Sequence, residues 1–155
     1  MADNFNTCDL SDNDHLAKST AAKVMVNGDT IFNVVGDVLI YSLLSECYTA
    51  NDATASTLQY SVTNNTSSTS QTISAASATL ASKAPKTSVL VQLGALTNAP
   101  VIANASGVGA FPWGAIRVGD NSSIKLVIGV GSTVGMWKHY IRYEPLEAGA
   151  YVVAV

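Results

Sequence analysis

A chain of 155 residues has the size of one domain, long enough to bury roughly 70 % of its unfolded surface in a single core. Hydrophobic residues make up 48 % and charged residues only 12 %, about half the ordinary share of ~25 %. That balance describes either a stable, neutral β domain or a protein that hides much of its surface in an assembly. A net charge of −3 gives no support to nucleic-acid binding, and no apolar run approaches the ~20 residues of a membrane span.

Residues 1–21 read as an acidic N-terminal arm, followed by a single domain over residues 22–155. Asp3, Asp9, Asp12 and Asp14 place four negatives and no Lys or Arg in the first fourteen residues. Such an arm is either a solvated tail or a segment that orders on a neighbouring subunit. A short helix could start at Ser11, where Asp12 and Asp14 would suit its positive end. No basic start precedes an apolar stretch, so no signal peptide is expected and synthesis in a reducing cytoplasm is the default. Cys8 and Cys47 lie far apart and suggest neither a disulfide framework nor a metal site.

Order is expected from Lys23. Val24 to Val26 and Asp29 to Val35 flank Asn27-Gly28, which predicts a β-hairpin with a type I′ turn. Gly36-Asp37 turns the chain into Val38 to Tyr48, whose apolar residues fall on both faces, as in a strand covered on both sides. Between Thr49 and Ser88, Ser, Thr and Ala supply 26 of 40 residues. Leu58, Tyr60 and Val62 still alternate there, while Asn64 to Ser70 reads as an exposed loop or a loosely held edge. Thr87 to Leu93 is another alternating strand. Ser123–Val130 and Val134–Tyr143 each alternate with a period of two, and Gly131-Ser132-Thr133 between them predicts a second hairpin. Tyr151 to Val155 is apolar to its end and reads as a strand or an interface. Short strands without a long amphipathic helix predict an antiparallel β-sandwich, of jelly-roll or immunoglobulin-like type.

The residues offer little chemistry. His139 alternates with Trp137 and Ile141 and reads as half-buried on an apolar face, and His15 lies in the arm. Two distant histidines and two distant cysteines do not make a zinc site. Gly129-Val130-Gly131 and Gly107-Val108-Gly109 lack the third glycine and the helix of a dinucleotide fingerprint, and no nucleophile elbow or phosphate loop occurs. No catalytic residue, metal or cofactor is expected, and the chain reads as a non-enzyme. A hydrolase built on His139 is the least favoured class.

Two groups of residues suit contacts instead. Met136, Lys138, Tyr140 and Arg142 form the other face of the last long strand. They are either a solvated face whose cationic stems cover apolar neighbours or an interface patch, since Tyr and Arg are favoured in binding hot spots. Phe111 and Trp113, around Pro112, either plug one end of the core or offer an aromatic contact to a partner.

Three blocks together carry a resemblance: Cys47 to Tyr60, Ile124 to Thr133 and Trp137 to Tyr143. They are similar to small structural proteins of tailed phages of aquatic bacteria, in particular the capsid decoration (cement) proteins of cyanophage-like particles. The similarity runs from about Lys23 to Leu146. It implies a β-sandwich virion protein, made in the host cytoplasm, that forms a homotrimer on the outer capsid surface and clamps neighbouring major capsid proteins. The resemblance implies neither a nucleic-acid partner nor a membrane. The alternative is a head-fibre or tail-tip module that binds host surface glycans through the aromatic loop around Trp113.

Overall fold

The computed structural model describes residues 16–103, 114–132 and 134–155. Twelve strands occur among them, in chain order: β1 Leu16–Ser19, β2 Lys23–Val24, β3 Thr30–Val35, β4 Val38–Cys47, β5 Leu58–Asn64, β6 Thr69–Thr72, β7 Ser88–Leu90, β8 Val101–Ala103, β9 Ile116–Val118, β10 Ser122–Ile128, β11 Met136–Pro145 and β12 Tyr151–Ala154. No helix is present among the described residues. Two antiparallel sheets face each other. One runs β1-β11-β4-β7-β8, with β2 continuing the β1 edge along β11 and β9 continuing the β7 row along β4; the other runs β12-β3-β10-β5-β6.

The pairing is nested: β2 with β11, β3 with β10, β4 with β7, and β5 with β6. A long ribbon doubled back at the β5–β6 turn and rolled into two layers gives this order, which is the jelly-roll topology of the two expected. Each layer buries one face. Phe32, Val34, Leu58, Tyr60, Ile124, Leu126 and Val152 from one sheet meet Val38, Ile40, Leu43, Cys47, Trp137, Ile141 and Tyr143 from the other in one core cluster.

Both hairpins expected from the sequence are corrected by this topology. β10 and β11 alternate as read, but they lie in different sheets, so the link between them crosses from one sheet to the other. The Asn27-Gly28 turn likewise carries the chain from β2 to β3 in the opposite sheet. Asp29 N–H donates to Val26 C=O at 3.1 Å, and only Gly28 (φ 87°) has positive φ, as in a type II rather than a type I′ turn. Asn27 instead uses its side chain, whose Oδ1 accepts from Ile128 N–H at 3.0 Å and ties the turn to β10. Alternation reports that one face of a strand is buried, and it is silent on which strand is the neighbour.

β4 shows a second departure. Its pairing with β11 slips between Arg142 and Tyr143, so Tyr41 and Ser42 together oppose Arg142. This bulge reverses the alternation: Val38 and Ile40 point inward before it, Leu43, Ser45 and Cys47 after it. Apolar residues on both faces in sequence are thus largely one inner face read across a phase change.

The described chain begins already in a strand. Leu16 to Ser19 pair with Tyr143 to Tyr140, so order starts upstream of Lys23 and includes the last residues assigned to the arm; the helix expected from Ser11 lies outside the described residues up to 15, and Leu16–Ser19 is extended. Thr20 bridges the gap between β1 and β2. Its N–H donates to His139 C=O at 2.9 Å, and its Oγ1 accepts from His139 N–H at 3.1 Å, standing in for a backbone carbonyl. Serines do the same inside the Ser/Thr/Ala stretch. Ser77 Oγ and Ser74 Oγ accept from the Leu58 and Tyr60 N–H groups at 3.0 and 3.1 Å, so part of β5 is paired by buried hydroxyls rather than by a regular strand.

Candidate interaction surface

β11 separates two chemistries by the strand period alone. Its inward set is Trp137, His139, Ile141 and Tyr143, all essentially without exposure. Trp137 Nε1 donates to Asn51 Oδ1 at 2.9 Å, and Asn51 Nδ2 donates to Leu80 C=O at 2.9 Å. Gly135 permits this arrangement, because a Cβ there would collide with the Asn51 side chain.

His139 is fully buried, not half-buried as its alternation suggested. Its Nδ1 lies 2.5 Å from Ser45 Oγ, which lies 2.6 Å from Tyr60 OH. The three side chains form a polar bridge between the two sheets. His139 Nε2 has no partner within the described structure. Burial pushes its pKa from 6.5 down to about 3, and the nearby positive charge of Lys23 adds to the effect. Burial also raises the Tyr60 phenol above its ordinary value, against the Ser45 hydrogen bond. A neutral imidazole sealed in the core cannot reach a substrate, so this group builds structure.

The outward set is Met136, Lys138, Tyr140 and Arg142. The structure brings the three sequence-selected residues Lys138, Tyr140 and Arg142 onto one face. Lys138, Tyr140 and Met136 are partly exposed and Arg142 is exposed. Lys138 Nζ sits 5.2 Å from the centroid of the Tyr140 ring, a cation–π contact that aligns the two. Across the ladder Lys138 faces Glu46, Tyr140 faces Leu44 and Arg142 faces Ser42. Glu46 is bonded to Lys86 at 3.0 Å, and Glu144 accepts from the Tyr41 hydroxyl. Ion pairs among the described residues are Lys23–Asp29, Lys86–Glu46 and Arg117–Asp37, leaving Lys138 and Arg142 without one. Phe111 and Trp113 lie outside the described residues.

A second feature was missed by sequence reasoning. Val26, Tyr48, Val130, Val134 and Val155 are each between 52 % and 58 % exposed. They come from three crossing turns and the end of β12, all at the same end of the sandwich. Tyr48 N–H donates to Met136 C=O at 2.8 Å, Thr49 Oγ1 lies 3.4 Å from Val134 O, and Val155 N–H donates to Ile31 C=O at 3.1 Å. Single valines beside turns carry no signal in sequence; only the crossing connections collect them.

The opposite end gathers charged side chains, among less exposed apolar ones: Val35, Leu146 and Tyr151 are between 39 % and 47 % exposed. Gly36 N–H donates to Asp120 Oδ1 at 2.6 Å, Asp37 N–H to Glu147 Oε1 at 3.0 Å, and the Arg117 guanidinium pairs with Asp37 and holds its carboxyl below the usual range. Among the described residues no group of three His, Cys, Asp or Glu side chains is placed to hold a metal ion. No family model, curated protein or solved structure matches the chain.

Proposed function

We propose that this chain is a capsid decoration protein: a virion structural protein that trimerises on the outer capsid surface and stabilises contacts between major capsid proteins. The observation that carries the reading is the group of most exposed apolar side chains at one end of the molecule. One end of the jelly roll exposes five large apolar side chains, and the flank beside it exposes the cationic and aromatic face of β11. Apolar groups collected at one end of a chain so poor in charge suit burial against another protein. The family resemblance of residues 23–146 supplies the identity of that protein, and the sandwich supplies a rigid spacer. Three-fold symmetry lets one face be used three times, and several weak contacts per trimer add through avidity to resist the outward pull on a filled shell.

In this arrangement the apolar end rests on the shell and Lys138, Tyr140 and Arg142 contact the neighbouring subunit. Mass spectrometry of purified particles is expected to find the chain in stoichiometric ratio to the major capsid protein. Particles stripped of it are expected to lose their genome at lower temperature. Particles that never contain it would overturn the proposal, and a substoichiometric count at one vertex or tail position would favour the host-glycan reading instead.

A further inference from the structure

We propose that the acidic segment of residues 1–15 in one copy docks along the outer face of β11 in a second copy. The inference rests on the reading of Lys138, Tyr140 and Arg142 as a subunit contact, and it names what covers them.

Charge is divided unevenly between the two partners. The first fourteen residues hold four of the eleven acidic residues and none of the eight Lys and Arg, so a chain of net −3 leaves its remainder at +1 (−3 + 4). Within that remainder the basic residues of β1 and β11, Lys18, Lys138 and Arg142, form no ion pair among the described residues. The acidic segment and these cations carry charges of opposite sign.

The entry point of the chain argues for a second copy over its own. β1 begins at Leu16, opposite Tyr143 and next to Glu144. That end of the sandwich already gathers Asp37, Asp120, Glu144 and Glu147, with Arg117 committed to Asp37. Even with Lys18 and Arg142 beside the entry, a segment carrying four carboxylates meets more negative than positive charge where it joins its own subunit. Fifteen extended residues reach about 50 Å, enough to cross to a neighbour and follow its ten-residue β11, which is about 33 Å long. Arg142 offers a planar fork to a carboxylate and Lys138 a point charge, while Met136 and Tyr140 between them offer apolar surface to Phe5 and Leu10.

The test mixes two chains. One lacks residues 2–15 and keeps the β11 face; the other keeps the segment and carries K138Q and R142E. Sedimentation velocity at low salt is expected to show a complex of the two, weakened about tenfold by high salt because its charges are exposed. A full-length chain with D3N, D9N, D12N and D14N is expected to lose association to the same extent as the deletion, which excludes misfolding as the cause. If the shortened chain associates with itself as tightly as the full chain, the docking is overturned while the subunit contact stands. If K138Q/R142E in an otherwise unaltered chain also leaves association unchanged, both are overturned.

Discussion

The two faces of β11 differ in what they ask of a side chain. Inward, Trp137, His139, Ile141 and Tyr143 are buried, with Trp137 Nε1 bonded to Asn51 and His139 Nδ1 to Ser45. Outward, Lys138 rests over the Tyr140 ring, and neither Lys138 nor Arg142 has an ion pair among the described residues. Ten residues of one strand thus hold the two sheets together and, on the other side, present what the sheets have no use for. Substitutions on the two faces should therefore separate stability from association.

Trp137→Ala is the strongest way to expose that contrast. It opens a large cavity and strands the Asn51 carboxamide, and a loss of about 3–5 kcal/mol in denaturant unfolding is expected. A loss under about 1 kcal/mol would mean that the inner face is not the hinge of the fold.

Between pH 6.5 and 5, acid should act on folding through the inner face. His139 is held neutral in the folded state with its pKa at about 3, whereas the unfolded chain binds a proton near 6.5. Its contribution is therefore complete above pH 6.5 and is lost as pH falls toward 3, by about 2 kcal/mol near pH 5. His139→Gln should flatten the pH dependence of the unfolding midpoint between pH 6.5 and 5, and an unchanged slope would remove His139 as its source. Tyr60→Phe is smaller. It removes one hydroxyl from the bridge, leaves Ser45 bonded to His139, and should cost about 1 kcal/mol in the same assay.

Legibility followed the same division. The alternation of Val134–Tyr143 placed the inward and outward residues of β11 from Met136 to Tyr143 correctly, since the pleat has a period of two whatever the neighbour. Partner choice was not legible, because a three-residue link can close a hairpin or cross between layers, and the crossing depends on packing of the whole ribbon. The Tyr41–Ser42 bulge was invisible for a similar reason, as its two apolar faces look like double burial until the register is known. Ser74 and Ser77 lie in the Ser/Thr/Ala-rich stretch with no pattern that marks them as inward, yet both are buried and bonded to β5. Of the candidate site, Lys138, Tyr140 and Arg142 emerged from periodicity alone. The apolar end did not, since Val26, Tyr48, Val130, Val134 and Val155 are scattered in sequence and meet only through the crossings.

The most direct test of the division between faces is a paired measurement on the double variant Tyr140→Ala/Arg142→Ala. The account predicts an unfolding midpoint for the isolated subunit within about 0.5 kcal/mol of the parent, as for exposed positions generally. It also predicts self-association weakened by about tenfold or more, as for loss of Tyr and Arg anchors at a contact. A variant that loses stability and associates as before would contradict it.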